Sequence, residues 1–277
     1  MTVYLGIAVF VLAMLALIYV FLISPRLSDP ADMELLSCNY AHRGLWTAKL
    51  PENSLSAFAL AVRYGVGIEL DIQLSRDGRI VVFHDNDLRR MCGVNKKVSD
   101  LTLTELKGLR LLGTNEGIPT LAEVLRLVDG KVPLLIEVKG EIPDERLCRQ
   151  AAELLDAYRG PFCVESFSPL ILRWFRKYRP SYARGQLVTG IASVNRRGKY
   201  VIGFLLSNML TNFLSRPDFI AINGKKRKNP SLLICSKAFH VPIYIWTVRD
   251  PKTHTACRKA GYFTIFEKFL PKENTKK

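Results

Sequence analysis

Several signatures of nucleotide, redox and zinc proteins are missing from this chain of 277 residues. No GxGxxG pattern follows the first strand-like run, and GxxxxGK followed by Ser or Thr does not occur, so the common nucleotide-binding loops lose their support. The six cysteines lack CxxC or CxH spacing, which argues against a zinc site. Disulfide frameworks belong to small secreted domains. We therefore expect six free thiols.

Charged side chains are absent from residue 3 to residue 23, a run long enough to cross a bilayer as a helix. A cleaved secretory signal is the alternative. However, Met1 and Thr2 supply no basic charge, the run is too long for a signal's apolar region, and no small-x-small cleavage site follows. We predict a single-pass membrane anchor over 1–24 and a linker over 25–37. Arg26 beside the span and the free cysteines favour a cytoplasmic catalytic domain.

Acidic residues are a minority, with 25 Asp and Glu against 40 Lys and Arg, which gives a net charge of +15. Such a charge indicates an anionic partner, whether nucleic acid, anionic lipid headgroups or a phosphate substrate. The basic residues show no RRM, KH or helix-turn-helix signature. We therefore expect no specific nucleic-acid partner.

Strand-like and helix-like runs alternate after residue 37, and this alternation is typical of parallel strands with helical crossovers. The predicted strands are 38–42, 67–74, 79–84, 133–138, 162–166, 183–188, 219–223, 243–248 and 263–266. The turn signal Asp77-Gly78 makes the third run a hairpin return. About eight parallel strands favour a (β/α)8 TIM barrel over 38–272 with a β-hairpin insertion after strand 2. An open doubly wound sheet is the alternative.

Three carboxylates lie in apolar, strand-like runs. Glu69 and Asp71 alternate with Ile68, Leu70 and Ile72, so they share one face of their strand. Two such carboxylates stay ionised most readily with a cation between them, and oxygen ligands suit Mg²⁺ or Ca²⁺. An exposed edge strand would show the same alternation. Glu137 ends a later apolar strand and is a candidate third ligand.

Basic and imidazole groups follow the same strands. Lys139 shares a face with Glu137 and is a candidate for holding a phosphate oxygen, although a plain ion pair is the alternative. His42 and His84 each end a strand, and histidine suits proton transfer near neutral pH. Arg43 offers a guanidinium fork that suits phosphate. These residues predict metal-assisted acid/base cleavage of a phosphate ester.

Together these motifs resemble the glycerophosphodiester phosphodiesterase family, within the phosphatidylinositol-phospholipase-C-like barrels, over about residues 38–270. The matching segments are His42-Arg43-Gly44, Pro51-Glu52-Asn53-Ser54, Ala57-Phe58, Gly67, Glu69-Leu70-Asp71-Ile72-Gln73, Asp77-Gly78, Val82-Phe83-His84-Asp85, Leu88-Arg89-Arg90, Ile118-Pro119-Thr120-Leu121, Ile136-Glu137-Val138-Lys139, Ser166-Phe167-Ser168-Pro169 and Ile245-Trp246-Thr247-Val248.

The resemblance implies a barrel whose site lies at the carboxyl face and a single divalent cation, Mg²⁺ or Ca²⁺, on Glu69, Asp71 and Glu137. It implies His42 and His84 as the acid/base pair. It implies hydrolysis of a glycerophosphodiester to an alcohol and glycerol 3-phosphate, with a cyclic phosphate as a plausible intermediate. The phosphate and substrate groups it implies are Arg43, Lys139 and Trp246.

The match weakens toward the C-terminus. Arg249 stands where the family often has Asn after Trp-Thr-Val, and Glu267 and Lys268 end a segment where many members have Ile-Thr-Asp-x-Pro. We expect these differences to affect substrate detail and to leave the catalytic set intact.

Residues 189–217, which join the predicted fifth and sixth barrel strands, form a basic and apolar stretch. Residues 186–230 contain eight basic residues and one acidic residue, Asp218. One hypothesis makes 196–228 an interfacial element on an anionic bilayer, which would favour lysophospholipid substrates. The alternative is an ordinary barrel helix beside a solvated loop. A catalytically inactive lipid-headgroup-binding module is a third possibility, and the complete set of catalytic residues argues against it.

Overall fold

The computed structural model describes residues 2–27, 33–189, 200–226 and 228–271, with Lys226 described by its backbone alone. The strands are β1 (Tyr40–Ala41), β2 (Gly67–Leu74), β3 (Ile80–Val82), β4 (Leu134–Val138), β5 (Phe162–Ser166), β6 (Arg184–Val188), β7 (Phe219–Asn223), β8 (Ile243–Val248) and β9 (Phe263–Phe266). The helices are α1 (Thr2–Ile23), α2 (Met33–Leu36), α3 (Leu55–Arg63), α4 (Arg89–Cys92), α5 (Leu103–Lys107), α6 (Leu121–Val128), α7 (Glu145–Asp156), α8 (Pro169–Tyr178), α9 (Tyr200–Ser207), α10 (Asn212–Ser215), α11 (Pro230–Lys237) and α12 (Pro251–Lys259).

Eight parallel strands close into a barrel. The strand order is β1-β9-β8-β7-β6-β5-β4-β2, and β1 also pairs with β2, so the ring has no open edge. The predicted TIM barrel is confirmed, and the open doubly wound sheet is wrong. β3 pairs antiparallel with β2 through Ile72 and Val82, which confirms the hairpin insertion. The two-residue β1 is shorter than the predicted strand 38–42.

The strand alternation separates two apolar layers. Outward side chains such as Ile68, Leu70 and Ile72 pack with residues of α3 and α6 in the layer between sheet and helices. Inward side chains fill the barrel below the carboxyl face, with Phe219 and Tyr244 among the largest. A Cβ at Gly185 would lie 1.9 Å from the Phe219 ring, so glycine on β6 makes room for that ring. The base of the interior is thus filled mainly by apolar side chains.

The turns that start the helices follow sequence signals. Ser54 Oγ accepts from Ala57 N at the start of α3, and Thr120 and Glu123 form a capping box at the start of α6. These caps fix where each crossover leaves its strand. The candidate site residues at the strand ends therefore have fixed positions along the barrel axis.

α1 is long and apolar enough to span a membrane, and only 6% of its most apolar 18-residue stretch is buried. Its last residue is different, because Ile23 is fully buried among side chains of the outer layer, including Ile220 and Leu232. Arg216 Nη1 donates to the carbonyls of Phe21 and Ser24 and so satisfies acceptors at the end of α1. The division into anchor, linker and barrel domain stays a prediction. The barrel contacts residues on both sides of the predicted boundary between anchor and linker.

Candidate active site

Three carboxylates from β2 and β4 lie together inside the carboxyl end of the barrel. Parallel pairing places Asp71 directly opposite Glu137, and alternation turns Glu69 to the same side. One oxygen from each of the three lies within 4.8 Å of the others. The exposed fractions of Glu69 and Asp71 are 2% and 0%, so the alternative of an exposed edge strand is wrong.

The electrostatics of this cluster favour a bound cation. Burial, Asp71 and Glu137 raise the pKa of Glu69 well above its usual range, and burial raises the pKa of Glu137 to about 7. Burial opposes ionisation of Asp71 as well, but Lys139, His84 and Arg43 lower its pKa. All three carboxylates can ionise together only with additional positive charge among them. The residues therefore fit a hard divalent cation with oxygen ligands.

Asn53 adds a fourth oxygen to this wall of the barrel. Its Nδ2 donates to Asp71 Oδ2 at 2.8 Å, while its Oδ1 is buried and has no hydrogen-bond partner among the described residues. A buried amide oxygen without a donor is destabilising unless a ligand occupies the space beside it. This orphaned acceptor is a second observation in favour of a cation.

Lys139 and Arg43 supply the positive charge of the site. Lys139 Nζ lies 2.7 Å from Asp71 Oδ1 and 2.8 Å from Glu137 Oε1, so it bridges two of the three carboxylates rather than forming one plain ion pair. Arg43 Nη1 lies 2.6 Å from Glu52 Oε1, and Arg43 Nε lies 3.6 Å from Asp71 Oδ2. Both cationic side chains are held at the edge of the acidic cluster by ion pairs with carboxylates. At that position they would also be available to a bound phosphate.

The turn after β1 is built to place Arg43. Its backbone nitrogen donates to Glu69 Oε2 at 2.9 Å, and Arg43 itself adopts the left-handed conformation, with φ of 59°. Gly44 follows with φ of 83°, and a Cβ there would lie 2.9 Å from the Phe58 ring. Strained backbone of this kind persists where the surroundings enforce it, often at functional sites.

His42 is held by a carboxylate from the last strand. Its Nδ1 lies 2.7 Å from Glu267 Oε2, and Glu267 Oε1 also accepts from Arg249 Nε at 2.6 Å. Burial opposes ionisation of Glu267, but its hydrogen bonds to His42 and Arg249 bring its pKa to about 2. An ionised carboxylate can only accept, so Nδ1 of His42 carries the proton and Nε2 presents a lone pair. Burial lowers the pKa of His42, which favours this neutral form.

His84 is oriented in the same way by its neighbour in sequence. Its Nδ1 lies 2.7 Å from Asp85 Oδ1, and Asp85 in turn accepts from Arg90 Nε at 2.6 Å. Burial lowers the pKa of His84, while Asp71 raises it. His84 lines a cavity of about 440 Å³ together with Glu137, Lys139 and other residues. Both imidazoles thus stand with Nδ1 fixed and Nε2 available.

Trp246 lies on β8, partly buried against the apolar side chains of the barrel interior. Its ring meets Phe167 edge-on at 5.7 Å, and Phe167 also lines the cavity beside His84. The indole Nε1 is buried and has no acceptor in the described part of the chain. Seven of the eight residues singled out in the sequence thus lie on β1, β2, β4 or β8 or in the turns directly after them, and the eighth, His84, follows β3 of the hairpin insertion.

Sequence reasoning missed two buried carboxylates. Glu165 lies opposite Glu137 in the β4–β5 register, and burial together with Glu69, Glu137 and Asp71 raises its pKa well above the usual range. A lone carboxylate in the run 162–166 gives no alternation to draw attention to it. Glu267 belongs to the segment that departs from the family pattern, and its contact with His42 places that departure beside a candidate catalytic residue.

Replacing Glu267 with Gln should slow catalysis and shift its pH dependence. The variant loses the carboxylate that fixes the Nδ1–H tautomer of His42, so we expect kcat to fall by about 10- to 100-fold at neutral pH. The hydrogen bond to Glu267 raises the pKa of His42 against burial, so its loss moves the limb of the pH profile that reports His42 to lower pH. The measurement is kcat and kcat/KM against pH.

The matched control is Arg249→Gln, which removes the other partner of Glu267 and keeps the carboxylate on His42. We expect it to leave the position of that limb in place. Equal profiles for the Glu267→Gln variant and the unmodified protein would contradict a positioning role for Glu267.

Comparison with known proteins finds similarity over most of the chain. Residues 42–268 match the model of the glycerophosphoryl diester phosphodiesterase family. The glycerophosphodiester phosphodiesterase homologue YhdW of Bacillus subtilis is 31% identical over 230 residues, covering 80% of this chain and 90% of its own. Lysophospholipase D GDPD1 of Rattus norvegicus is 34% identical over 137 residues, which cover 45% of this chain and 42% of the rat protein.

Among solved structures, a phosphodiesterase of Oleispira antarctica in complex with the product sn-glycerol-3-phosphate superposes with a TM-score of 0.67. It is 24% identical, and the match covers 83% of this chain and 92% of that one. At this identity the similarity shows a shared fold.

Proposed function

The chain belongs to the glycerophosphoryl diester phosphodiesterase family of hydrolases, and we propose that it cleaves glycerophosphodiesters to an alcohol and glycerol 3-phosphate with His42 and His84 as its acid/base pair. The observation that carries the proposal is the convergence of two oriented imidazoles, three buried carboxylates and two cations at one end of the barrel. The product bound to the Oleispira antarctica relative supports glycerol 3-phosphate as the product here.

The residues divide the reaction between them. One imidazole takes the proton of the glycerol hydroxyl next to the phosphodiester through its free Nε2, and that oxygen attacks phosphorus. The other imidazole, protonated beside the substrate's negative charge, gives its proton to the oxygen of the departing alcohol as the bond to phosphorus breaks. The cyclic phosphate is then opened by water with the two roles reversed, which yields glycerol 3-phosphate.

Charge on the phosphoryl oxygens is balanced by Lys139 and Arg43, which stand at the edge of the carboxylate cluster. Glu69, Asp71 and Glu137 would hold the divalent cation, with Asn53 Oδ1 beside them. When bound, Mg²⁺ or Ca²⁺ would supply a Lewis acid for the phosphoryl group. Trp246 and Phe167 form an apolar wall along the path of the substrate.

We further propose that α1 is an uncleaved single-pass anchor, because the barrel buries its last residue, Ile23. None of the six cysteines, all of which lie among the described residues, forms a disulfide. This supports placing the barrel in the cytoplasm, where thiols stay reduced.

A second candidate activity is that of a lysophospholipase D, which the rat relative is named for. One observation favours it. An apolar cavity of about 480 Å³ opens beside Glu267 and is lined by Leu45, Trp46, Phe269 and others. Such a cavity, lined by the same Glu267 that holds His42, would accept part of an acyl chain better than it would accept a polar headgroup.

The test uses the full chain in detergent, stripped of metal by a chelator and then given Mg²⁺ or Ca²⁺. We expect glycerol 3-phosphate release from glycerophosphocholine to return with the metal. Choline release from lysophosphatidylcholine measures the second activity in the same preparation. The proposal is wrong if neither metal restores cleavage of either substrate while the protein remains folded by circular dichroism.

A further inference from the structure

The end of α1 is part of the barrel wall. Ile23 is fully buried, its carbonyl accepts from Asn212 Nδ2 at 3.1 Å, and Tyr19 Oη lies 2.8 Å from Ser231 Oγ. α10, which follows β6, has only four residues, and the last turn of α1 packs beside it against the outer face of the barrel. The direction of α1 is therefore fixed by the barrel and is not left to a linker.

The contacts along this segment run from the catalytic face to the opposite face. Tyr19 meets Ser231 in the first turn of α11, and that turn lies near the catalytic face because α11 follows β7. Arg26, seven residues later, donates its backbone N–H to Pro217 O at 3.0 Å and pairs with Asp218, both of which precede β7 on the opposite face. A helix rises 1.5 Å per residue. Residues 2–18 therefore project for about 25 Å beyond the barrel on the side of the active site.

A second apolar surface faces the same way. α9 lies above the end of β6, where Ser207 Oγ donates to Thr189 O, and Asn229 at the start of α11 donates to Ser207 O. Tyr200 and Phe204 on α9 are 74% and 52% exposed, and Val201 and Ile202 are also exposed. Met209, just after α9, is fully buried in the outer layer. The sequence alone did not decide whether this stretch is an interfacial element or an ordinary barrel helix. In the structure its first part is exposed and its second part is packed against the barrel.

The charged residues around this surface are basic, and lipid phosphates attract positive charge. Lys225 and Lys228 are exposed on the catalytic face, between β7 and the start of α11, where Asn229 and Ser231 contact α9 and α1. Residues 190–199 and Arg227, which complete the predicted basic stretch, lie outside the described residues. A basic rim beside exposed aromatic side chains is typical of surfaces that lie in the headgroup region of a bilayer.

We propose that the mouth of the active site faces the bilayer that α1 spans, with the exposed side of α9 inserted into the headgroup region. This inference rests on the proposed function for its consequence, which is that the preferred substrates are phosphodiesters held in the membrane, such as lysophospholipids. A substrate of that kind would reach the site from the bilayer without first leaving it. Soluble diesters would still enter from the open side of the cavity.

The orientation is tested by tryptophan fluorescence in vesicles that contain the full chain and phospholipids with brominated acyl chains. The Phe204→Trp variant should show more quenching than the unmodified protein, whose own three tryptophans set the background. The matched control is Leu27→Trp, an exposed position at the opposite face, which should add unquenched fluorescence. Quenching of Leu27→Trp and not of Phe204→Trp, or equal quenching of both, would overturn the orientation.

The consequence for substrate is tested with Tyr200→Ser/Phe204→Ser against Leu27→Ser/Tyr178→Ser. Loss of two half-inserted aromatic rings should reduce cleavage of lysophosphatidylcholine in vesicles of phosphatidylcholine and phosphatidylglycerol by about tenfold. Cleavage of glycerophosphocholine in solution should stay the same in both variants. Equal loss on both substrates would overturn the proposal. If the unmodified protein cleaves neither substrate, the proposed function fails, and the quenching result still decides the orientation by itself.

Discussion

Replacing Glu69 with Gln should abolish metal-dependent activity and leave the metal-free fold intact. Burial beside Asp71 and Glu137 raises the pKa of Glu69 well above its usual range, which favours the protonated form when no cation is bound. Gln has the same shape as that protonated form and still offers an oxygen to the Arg43 backbone N–H. With a cation, however, the site needs the ionised carboxylate as a ligand. We expect activity to fall by about 10³-fold, since metal Lewis acids supply several kcal/mol of transition-state stabilisation.

Thermal unfolding with and without metal separates the two effects. The unmodified protein should gain about 2.7 kcal/mol of stability at a metal concentration of 100 times Kd. The Glu69→Gln variant should match its metal-free stability and lose most of this gain. Glu165→Gln is the matched control, because Glu165 is an equally buried carboxylate on β5, next to β4, and lies outside the three-carboxylate cluster. A full metal response in Glu69→Gln would contradict the assignment of Glu69 as a ligand.

Much of this site could be predicted from the sequence because strand alternation and barrel topology are local rules. Glu69, Asp71 and Glu137 could be expected to converge once their runs were recognised as parallel neighbours, since side-chain direction follows from position along a strand. The bounds of β2, β5, β7, β8 and β9 match the predicted strands for the same reason.

The parts that escaped prediction depend on closure and packing. Glu267 meets His42 only because β9 pairs with β1, a contact across 225 positions of the sequence that nothing local reveals. Burial of Ile23 in the barrel wall could not be predicted either, because an apolar helix end has the same composition whether lipid or protein covers it. The direction of α1 follows from that burial together with the contacts of Tyr19 and Arg26, and the proposed orientation of the active site rests on this direction.

Substituting either histidine should reduce turnover strongly, and a change of leaving group should tell their roles apart. General acid/base groups contribute about 10²- to 10⁴-fold, so His42→Gln and His84→Gln should each lower kcat by a factor in that range. The double variant should be little worse than the slower single variant, because the two act on one proton-transfer sequence. A nitrophenyl glycerophosphate has a leaving group that departs without protonation. It should restore most of the first-step rate in the variant that lacks the acid, and none in the variant that lacks the base.

The control is His240→Asn, which keeps a residue that tolerates the left-handed backbone at that position and lies between α11 and β8, away from the catalytic face. It should leave kcat unchanged on both substrates. Because His42 is held by Glu267 and His84 by Asp85, each imidazole has its own carboxylate, and neither tautomer depends on the other histidine. The two single variants should therefore differ in their response to the leaving group. Rescue of both, or of neither, would contradict the division of acid and base between His42 and His84.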